Sequence, residues 1–355
     1  MTMGGKPAND CFFMRRAIAL ASRGLGHVRP NPAVGAVIVK GGRIIGEGWH
    51  RKAGGDHAEV AAMKNALRRG GCAGTSGTAK TSGTGSRILK GSTIFVTLEP
   101  CSKPGRVGAC TDAIVAAGIS RVVYAVPDPN PKNGGRAKRI LAKAGVECER
   151  FDGDREILES ASGLICGFRK HVLTGLPFVT VKIAMSLDGK TCDDCGDAKW
   201  ISSADSRSFT GGALREIHDA IMVGAETVRK DDPSLLSHGR RNDDLVRVVV
   251  SKSGKLPKSA QVFADEAPNR TLVFDDAVKA VVELGKAGIT SVLCEGGISL
   301  ARSLAEAGLV DRWIAVLAPK VVGSRPIGKA VCGKLDPNGC FRLSGDVFAA
   351  VDFGF

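Results

Sequence analysis

Aromatic residues are scarce in this 355-residue chain: they make up 5%, with one tyrosine and three tryptophans. That scarcity removes the stacking platforms on which binders of single-stranded nucleic acid rely. No apolar run approaches the ~18 residues a membrane helix needs, so no membrane partner is expected. The stretch Met1–Asp10 lacks the charged-then-apolar order of a secretory leader. Thr2 rather than glycine follows Met1, which argues against myristoylation. A cytoplasmic location is the expectation. In the C-terminal half no G-x-G-x-x-G follows a strand-like run, so a Rossmann dinucleotide site is unsupported.

What is plentiful points to an α/β enzyme with two cores. The chain is long for one domain, and its 43% hydrophobic content is spread throughout. Its 46 glycines follow no collagen period and sit at turns and in one short tract. Eleven cysteines in a cytoplasmic chain read as metal ligands and buried thiols rather than disulfides. The net charge of +14 is uneven: residues 1–170 hold 27 Lys and Arg against 13 Asp and Glu, while the rest is balanced. A basic half suits a phosphorylated small molecule or nucleic acid, and charge for solubility alone explains it equally well.

Periodicity supplies the elements. Phe12–Ser22 reads as a helix, Val34–Val39 and Arg43–Trp49 as a hairpin, and His57–Arg69 as a second helix. Residues 70–86 are low in complexity, with 13 of 17 being Gly, Ser or Thr, and a mobile surface loop is expected there. Strands at Thr93–Leu98, Arg121–Val126 and Val146–Arg150 then alternate with helices at Asp112–Ala117 and Lys138–Ala144, the mark of a mostly parallel sheet. A fresh strand begins at Phe178. The expected division is 1–150, a connecting segment 151–176, and 177–355.

His57-Ala58-Glu59, Pro100-Cys101 and Cys110 form the first chemical constellation. One imidazole and two thiolates leave a fourth position open, as a catalytic zinc requires, and Glu59 stands two residues from His57, placed to shuttle protons. Eight residues separate the cysteines, where the usual deaminase signature has two. Two buried thiols and a surface histidine would be the plain alternative. In the second half, Ser291–Cys294 reads as a strand and Glu295-Gly296-Gly297 as the opening of a helix to Ala307. Amides at such a helix start cradle phosphate, although glycines there also serve close packing. Cys192-Asp-Asp-Cys195 lacks a second ligand pair and reads as incidental.

Arg29-Pro-Asn-Pro-Ala-Val-Gly-Ala-Val-Ile-Val, Gly48-Trp-His50, His57-Ala-Glu, Thr97-Leu-Glu-Pro-Cys-Ser and Asp128-Pro-Asn-Pro131 stand in one order. Taken together they resemble the bifunctional deaminase-reductases of riboflavin synthesis. Pro177-Phe-Val-Thr-Val-Lys-Ile-Ala-Met-Ser-Leu-Asp-Gly-Lys190, Lys199-Trp-Ile-Ser, Asp219-Ala-Ile-Met-Val-Gly, Asp231-Asp-Pro233 and Glu295-Gly-Gly297 extend the resemblance over nearly the whole chain. It implies a cytidine-deaminase-like three-layer sandwich followed by a dihydrofolate-reductase-like α/β domain. It also implies one zinc on His57, Cys101 and Cys110, Glu59 as proton shuttle, and Asn31, His50, Asp128 and Asn130 around the substrate. NADPH would touch Ala184, Trp200, Thr227 and Asp231, and also Gly297, Ile298, Ser299, Leu300, Ala301, Arg302 and Ser303. Lys182, Arg215, Leu235 and Glu295 would hold the reductase substrate.

The chain departs from the family pattern in places. Lys103 stands where histidine is usual, Val107-Gly108-Ala109 where Thr-Pro-Pro is usual, Ala198 where a serine precedes the tryptophan, and His238 where an arginine is usual. The interval from Arg207 to Arg215 is one residue longer than in the family. The implied function is deamination of a phosphorylated diaminopyrimidine carrying ribosylamine, then NADPH-dependent reduction of ribosyl to ribityl, in a homo-oligomer that takes no nucleic acid. A deaminase with an impaired reductase, or a zinc deaminase acting on RNA, are the alternatives.

Overall fold

The Val- and Ile-rich runs Gly35–Lys40, Thr93–Leu98 and Arg121–Val126 form the middle of the first sheet because each can bury both faces between helices. The computed structural model describes residues 8–70, 87–103, 108–192, 201–237, 245–264, 270–319, 334–343 and 345–353. All of the expected loop at 70–86 but Gly70 therefore lies outside the described residues, as do Trp200, Ala198, Cys195 and His238. The chain divides into two compact units, Met1–Leu173 and Thr174–Phe355.

In the first unit β1 (Gly35–Lys40) pairs antiparallel with β2 (Arg43–Trp49) and with β3 (Thr93–Leu98), and β4 (Arg121–Val126) and β5 (Glu147–Arg150) continue parallel. The sheet order is β2-β1-β3-β4-β5. Alternate residues face opposite ways. Ile38, Ile94 and Val122 meet α2 (Ala58–Arg69), α3 (Cys110–Ala116) and α4 (Ala137–Lys143) on one face. Val37, Phe95 and Val123 meet α1 (Ala8–Ala21) and α5 (Arg155–Leu164) on the other. Three layers result. Each fully buried Val, Ile or Leu contributes about 1.5–3 kcal/mol.

Two glycines set how closely the layers approach. A Cβ on Gly35 would stand 2.1 Å from the carbonyl oxygen of Ala17 in α1, and one on Gly48 would stand 2.3 Å from the Ala62 nitrogen in α2. Both helices therefore lie against the strand backbone, which brings His57, at the cap of α2, close to the sheet.

The stretch expected to connect the domains is helical and contributes to the first core. Phe151, Ile157, Ala161 and Ile165 pack with Phe13 and Leu20 of α1, and α6 (Cys166–Thr174) follows. The amphipathic spacing was in the sequence; its partner was not, because α1 lies more than a hundred residues upstream.

The second unit is an eight-stranded sheet of order β12-β13-β11-β6-β10-β7-β8-β9. The strands β6 (Phe178–Ser186), β7 (Ala220–Gly224), β8 (Val246–Val250), β9 (Thr271–Phe274), β10 (Ser291–Cys294) and β11 (Arg312–Ala318) run parallel; β13 (Asp346–Asp352) and β12 (Lys334–Leu343) close one side antiparallel. One face packs α10 (Ala277–Lys286) and α11 (Ile298–Glu306), and the other packs Val228 of α8 (Ala225–Asp231). A further helix, α7 (Ala204–Phe209), leads into a π-helical turn at Thr210–Leu214, and α9 (Gln261–Ala264) is short. Buried Asp219 pins the start of β10, its Oδ2 accepting from Thr290 N at 2.8 Å, Thr290 Oγ1 at 2.6 Å and Ser291 N at 3.1 Å. Among the described residues no helix is long and apolar enough to cross a membrane.

Candidate functional site

Three donors from three segments converge in the first unit. His57 is the cap residue of α2, Cys101 lies just past β3, and Cys110 opens α3. Their ligand atoms all lie within 4.8 Å of one another. His57 Nδ1 is 3.2 Å from Cys110 Sγ and 3.5 Å from Cys101 Sγ, and the Cys110 backbone N–H donates to Cys101 Sγ at 3.3 Å. The donation from Cys110 to its sulfur, then that from His57, holds Cys101 well below the ordinary thiol value. The same bond, with burial, pushes Cys110 up. Cys101 thus carries the negative charge of the cluster, and a dication would draw off the remaining thiol proton. A half-buried thiolate–thiol–imidazole triangle is the Cys2His donor set that zinc takes while keeping one position for water.

Glu59 sits two residues into α2, 3% exposed. Burial first, and the Cys101 charge second, raise its pKa above the usual carboxylate range. A carboxyl that accepts a proton readily beside a metal-activated water suits proton transfer to a leaving amine.

A cavity of about 220 Å³ opens on this cluster, lined by His57, Glu59 and Cys101 together with Asn31, His50, Asp128 and Asn130. All four residues expected around the substrate are thus brought to the metal cluster. His50 is buried, which lowers its pKa, and it stands neutral. Its Nδ1–H donates to the Asp56 carbonyl at 2.9 Å, so Nε2 accepts from the Asn31 amide at 3.0 Å. Asp128 accepts the Asn130 backbone N–H at 2.8 Å, and burial raises its pKa. Lys103 is exposed, and Ala109 caps α3.

Sequence reasoning missed Glu99, Asn133 and Phe168, which line the same cavity. Glu99 is the acid of Thr97-Leu-Glu-Pro-Cys, a motif read for its cysteine alone. It is 3% exposed and accepts three backbone N–H groups: Asp128 at 3.2 Å, Gly135 at 3.0 Å and Ala137 at 3.2 Å. It therefore fastens the loop that carries Asp128 and Asn130. Glu99→Ala leaves the buried Ala137 N–H without its acceptor and frees the more accessible Asp128 and Gly135 N–H groups to water, so the first unit should lose about 1–3 kcal/mol in urea unfolding. Phe168 arrives from α6, and no local signal marks it.

In the second unit Arg215 and Glu295 form a two-pronged ion pair, Nε to Oε1 at 2.7 Å and Nη2 to Oε2 at 3.0 Å, with side chains 12% and 11% exposed. Burial opposes the Glu295 charge, but the Arg215 guanidinium outweighs it and holds the carboxyl below its usual range. Lys182 on β6 feels both, and burial lowers its pKa. Arg215 Nη1 also donates to the Leu236 carbonyl at 2.9 Å, beside buried Leu235 with its positive φ of 57°. Lys182, Arg215, Leu235 and Glu295 thus gather at one place. A π-helical turn at Thr210–Leu214 immediately precedes Arg215.

At the expected NADPH positions, Gly297 caps α11 and its carbonyl accepts the N–H groups of Leu300 at 3.1 Å and Ala301 at 3.2 Å. The amides of Ile298 and Ser299 head the helix. Space around Gly297 is open, whereas a Cβ on Gly296 would meet Leu300 at 2.5 Å. Close packing therefore accounts for Gly296. Leu300 and Ala301 turn their side chains into the core, whereas Ser299, Arg302 and Ser303 are exposed. Ala184 lies on β6, Thr227 and Asp231 on α8. Cys192 is exposed.

Residues 7–126 match the cytidine and deoxycytidylate deaminase zinc-binding region, and 177–346 match the RibD C-terminal domain. Riboflavin biosynthesis protein RibD of Escherichia coli is 35% identical over 350 residues, covering 89% of each chain. That of Mycobacterium tuberculosis is 38% identical over 308 residues, covering 84% of this chain and 81% of its own. The solved structure of Acinetobacter baumannii RibD aligns with a TM-score of 0.80 at 33% identity over 97% of this chain and 98% of that one. A Thermotoga maritima diaminohydroxyphosphoribosylaminopyrimidine deaminase/5-amino-6-(5-phosphoribosylamino)uracil reductase aligns at 0.79 and 32% identity over the same shares.

Proposed function

The chain belongs to the bifunctional deaminase-reductase family of riboflavin biosynthesis, and we propose on that premise how its residues divide the work. The enzyme deaminates the diaminopyrimidine ribosylamine phosphate in a zinc-dependent first unit and reduces the ribosyl chain with NADPH in the second. The observation that carries this reading is the His57–Cys101–Cys110 triangle with buried Glu59 in one small cavity.

His57, Cys101 and Cys110 hold the zinc, whose contribution when bound is to bring the pKa of water to roughly 7. Glu59 takes a proton at its carboxylate and passes it to the departing amine. Its burial keeps that proton from bulk water. The Asn31 amide and His50, locked as a neutral tautomer by the Asp56 carbonyl, orient the pyrimidine ring. Asp128 and Asn130 bind its polar edge on the loop that Glu99 fastens.

NADPH supplies the reducing equivalents in the second unit. The Ile298 and Ser299 amides at the head of α11, with exposed Arg302 and Ser303, bind its phosphates. Glu295, held rigid by Arg215, fixes the sugar hydroxyls, and Lys182, a readier proton donor than a surface lysine, protonates the sugar oxygen as the ring opens. We also propose a homo-oligomer in the cytoplasm.

Removing zinc with a chelator should abolish ammonia release from the diaminopyrimidine substrate. NADPH oxidation with the already deaminated substrate should continue unchanged, and added zinc should restore the first activity. Ammonia release that persists in metal-free protein would overturn the assignment of the first unit.

A further inference from the structure

A second depression in the first unit shares no lining residue with the metal cavity. Its volume is about 680 Å³, within the range of small-molecule sites. It runs along the edge strand β2, whose last residue, Trp49, lines it. The guanidinium of Arg51 lies 4.3 Å from the Trp49 ring centre and that of Arg23 lies 5.0 Å away. Lys52 and Arg68 add two more cations.

These four cations come from three places: the short helical turn after α1, the segment after β2, and the last turn of α2. Among the described residues none of the four has an ion-pair partner. Among the described residues the acids lining the depression are Glu47 and Asp56; both are bound to other cations, and Glu47 reaches Arg23 only through space. Glu47 binds Arg16 at 2.6 Å and Arg69 at 3.5 Å, and Asp56 binds Lys64 at 2.7 Å. Like charges gathered on a concave wall repel one another and raise the local concentration of a multivalent anion. A solvated helix face would spread such charges over convex surface instead.

Strand addition does not explain the feature. Asn65 Oδ1 accepts the outward Glu47 N–H at 3.1 Å, and α2 lies against Gly48, so the edge of β2 is closed to another strand. One orthophosphate would answer about half of four unpaired cations; a chain of phosphates answers all of them, with the guanidiniums making paired charge-assisted bonds.

We propose that this basic depression binds an oligophosphate, either the triphosphate group of a nucleotide or free inorganic triphosphate. The site stands apart from the zinc chemistry and does not depend on it. Isothermal titration of the full, zinc-loaded chain at about 150 mM salt would use inorganic triphosphate, ATP and orthophosphate in turn. The expected result is one triphosphate per chain, weakened about tenfold or more by Arg23→Gln/Arg68→Gln, with ammonia release unchanged. ATP binding more tightly than inorganic triphosphate assigns the nucleotide; equal binding assigns the phosphate chain alone. No binding overturns the proposal. So does binding that the double variant leaves intact, since the anion would then sit elsewhere, for instance at α11. Capture of a single-stranded RNA without any affinity for triphosphate would also overturn it, in favour of a nucleic-acid surface. Because the depression and the metal cavity share no lining residue, absence of ammonia release from the unsubstituted protein would count against the deaminase assignment alone.

Discussion

Glu59→Gln is expected to cut ammonia release by about 10²–10⁴-fold while leaving bound zinc and NADPH oxidation on the deaminated substrate intact. The amide has nearly the shape of the carboxyl but cannot take up and deliver a proton. Folding should not suffer, because Glu59 is almost fully buried and a neutral amide costs less to bury than an ionised carboxylate. Metal analysis and ammonia assays on one sample make the test. Loss of zinc with loss of activity would recast Glu59 as a structural support of the ligands, and full activity would remove it from the chemistry.

Arg215→Met should destabilise the second unit by about 3–5 kcal/mol, since it strands a buried carboxylate. Glu295 and Arg215 are only 11% and 12% exposed, so solvent screens the pair little. The loss should be visible in urea unfolding. Arg215→Met/Glu295→Leu should recover most of that stability, because an apolar pair replaces an ionic one, and yet remain unable to reduce the ribosyl group. Recovery of reductase activity in the double variant would mean that the pair serves the fold and not the substrate. The pH dependence has a definite sign. The folded pKa of Glu295 lies below its unfolded value, so the pair's stabilisation is present above the ordinary carboxylate pKa of about 4.3 and fades as pH falls toward the depressed folded value. The Arg215→Met chain should lose that acid dependence.

Much of this was legible in the sequence where the physics is local. The apolar runs of β3, β4 and β10, and the return of β2 after the Gly41-Gly42 turn, gave the edges of these strands to the residue. The three metal donors were legible because each sits at a strand or helix end that presents it. Glu99 was harder to see: its three partners lie 29, 36 and 38 residues downstream, and a buried acid looks like any other acid before the chain is folded. Phe168 was invisible for a related reason, since the helix that delivers it read as a connector. The groove around Trp49 was dispersed across residues 16–68, and an excess of charge says nothing about curvature. For the reductase the resemblance grouped Lys182, Arg215 and Glu295; the folded sheet adds the two-pronged pair between Arg215 and Glu295.

The widened turn at Thr210–Leu214 has a bearing on where Arg215 points. An extra residue in a regular α-helix swings everything after it by about 100°, which would carry Arg215 away from Glu295. Here a π-helical turn containing Gly211 and Gly212 takes up one residue locally, and the guanidinium meets its carboxylate. Removal of one residue from this turn would return the segment to regular α-helix and keep Arg215 in phase with Glu295.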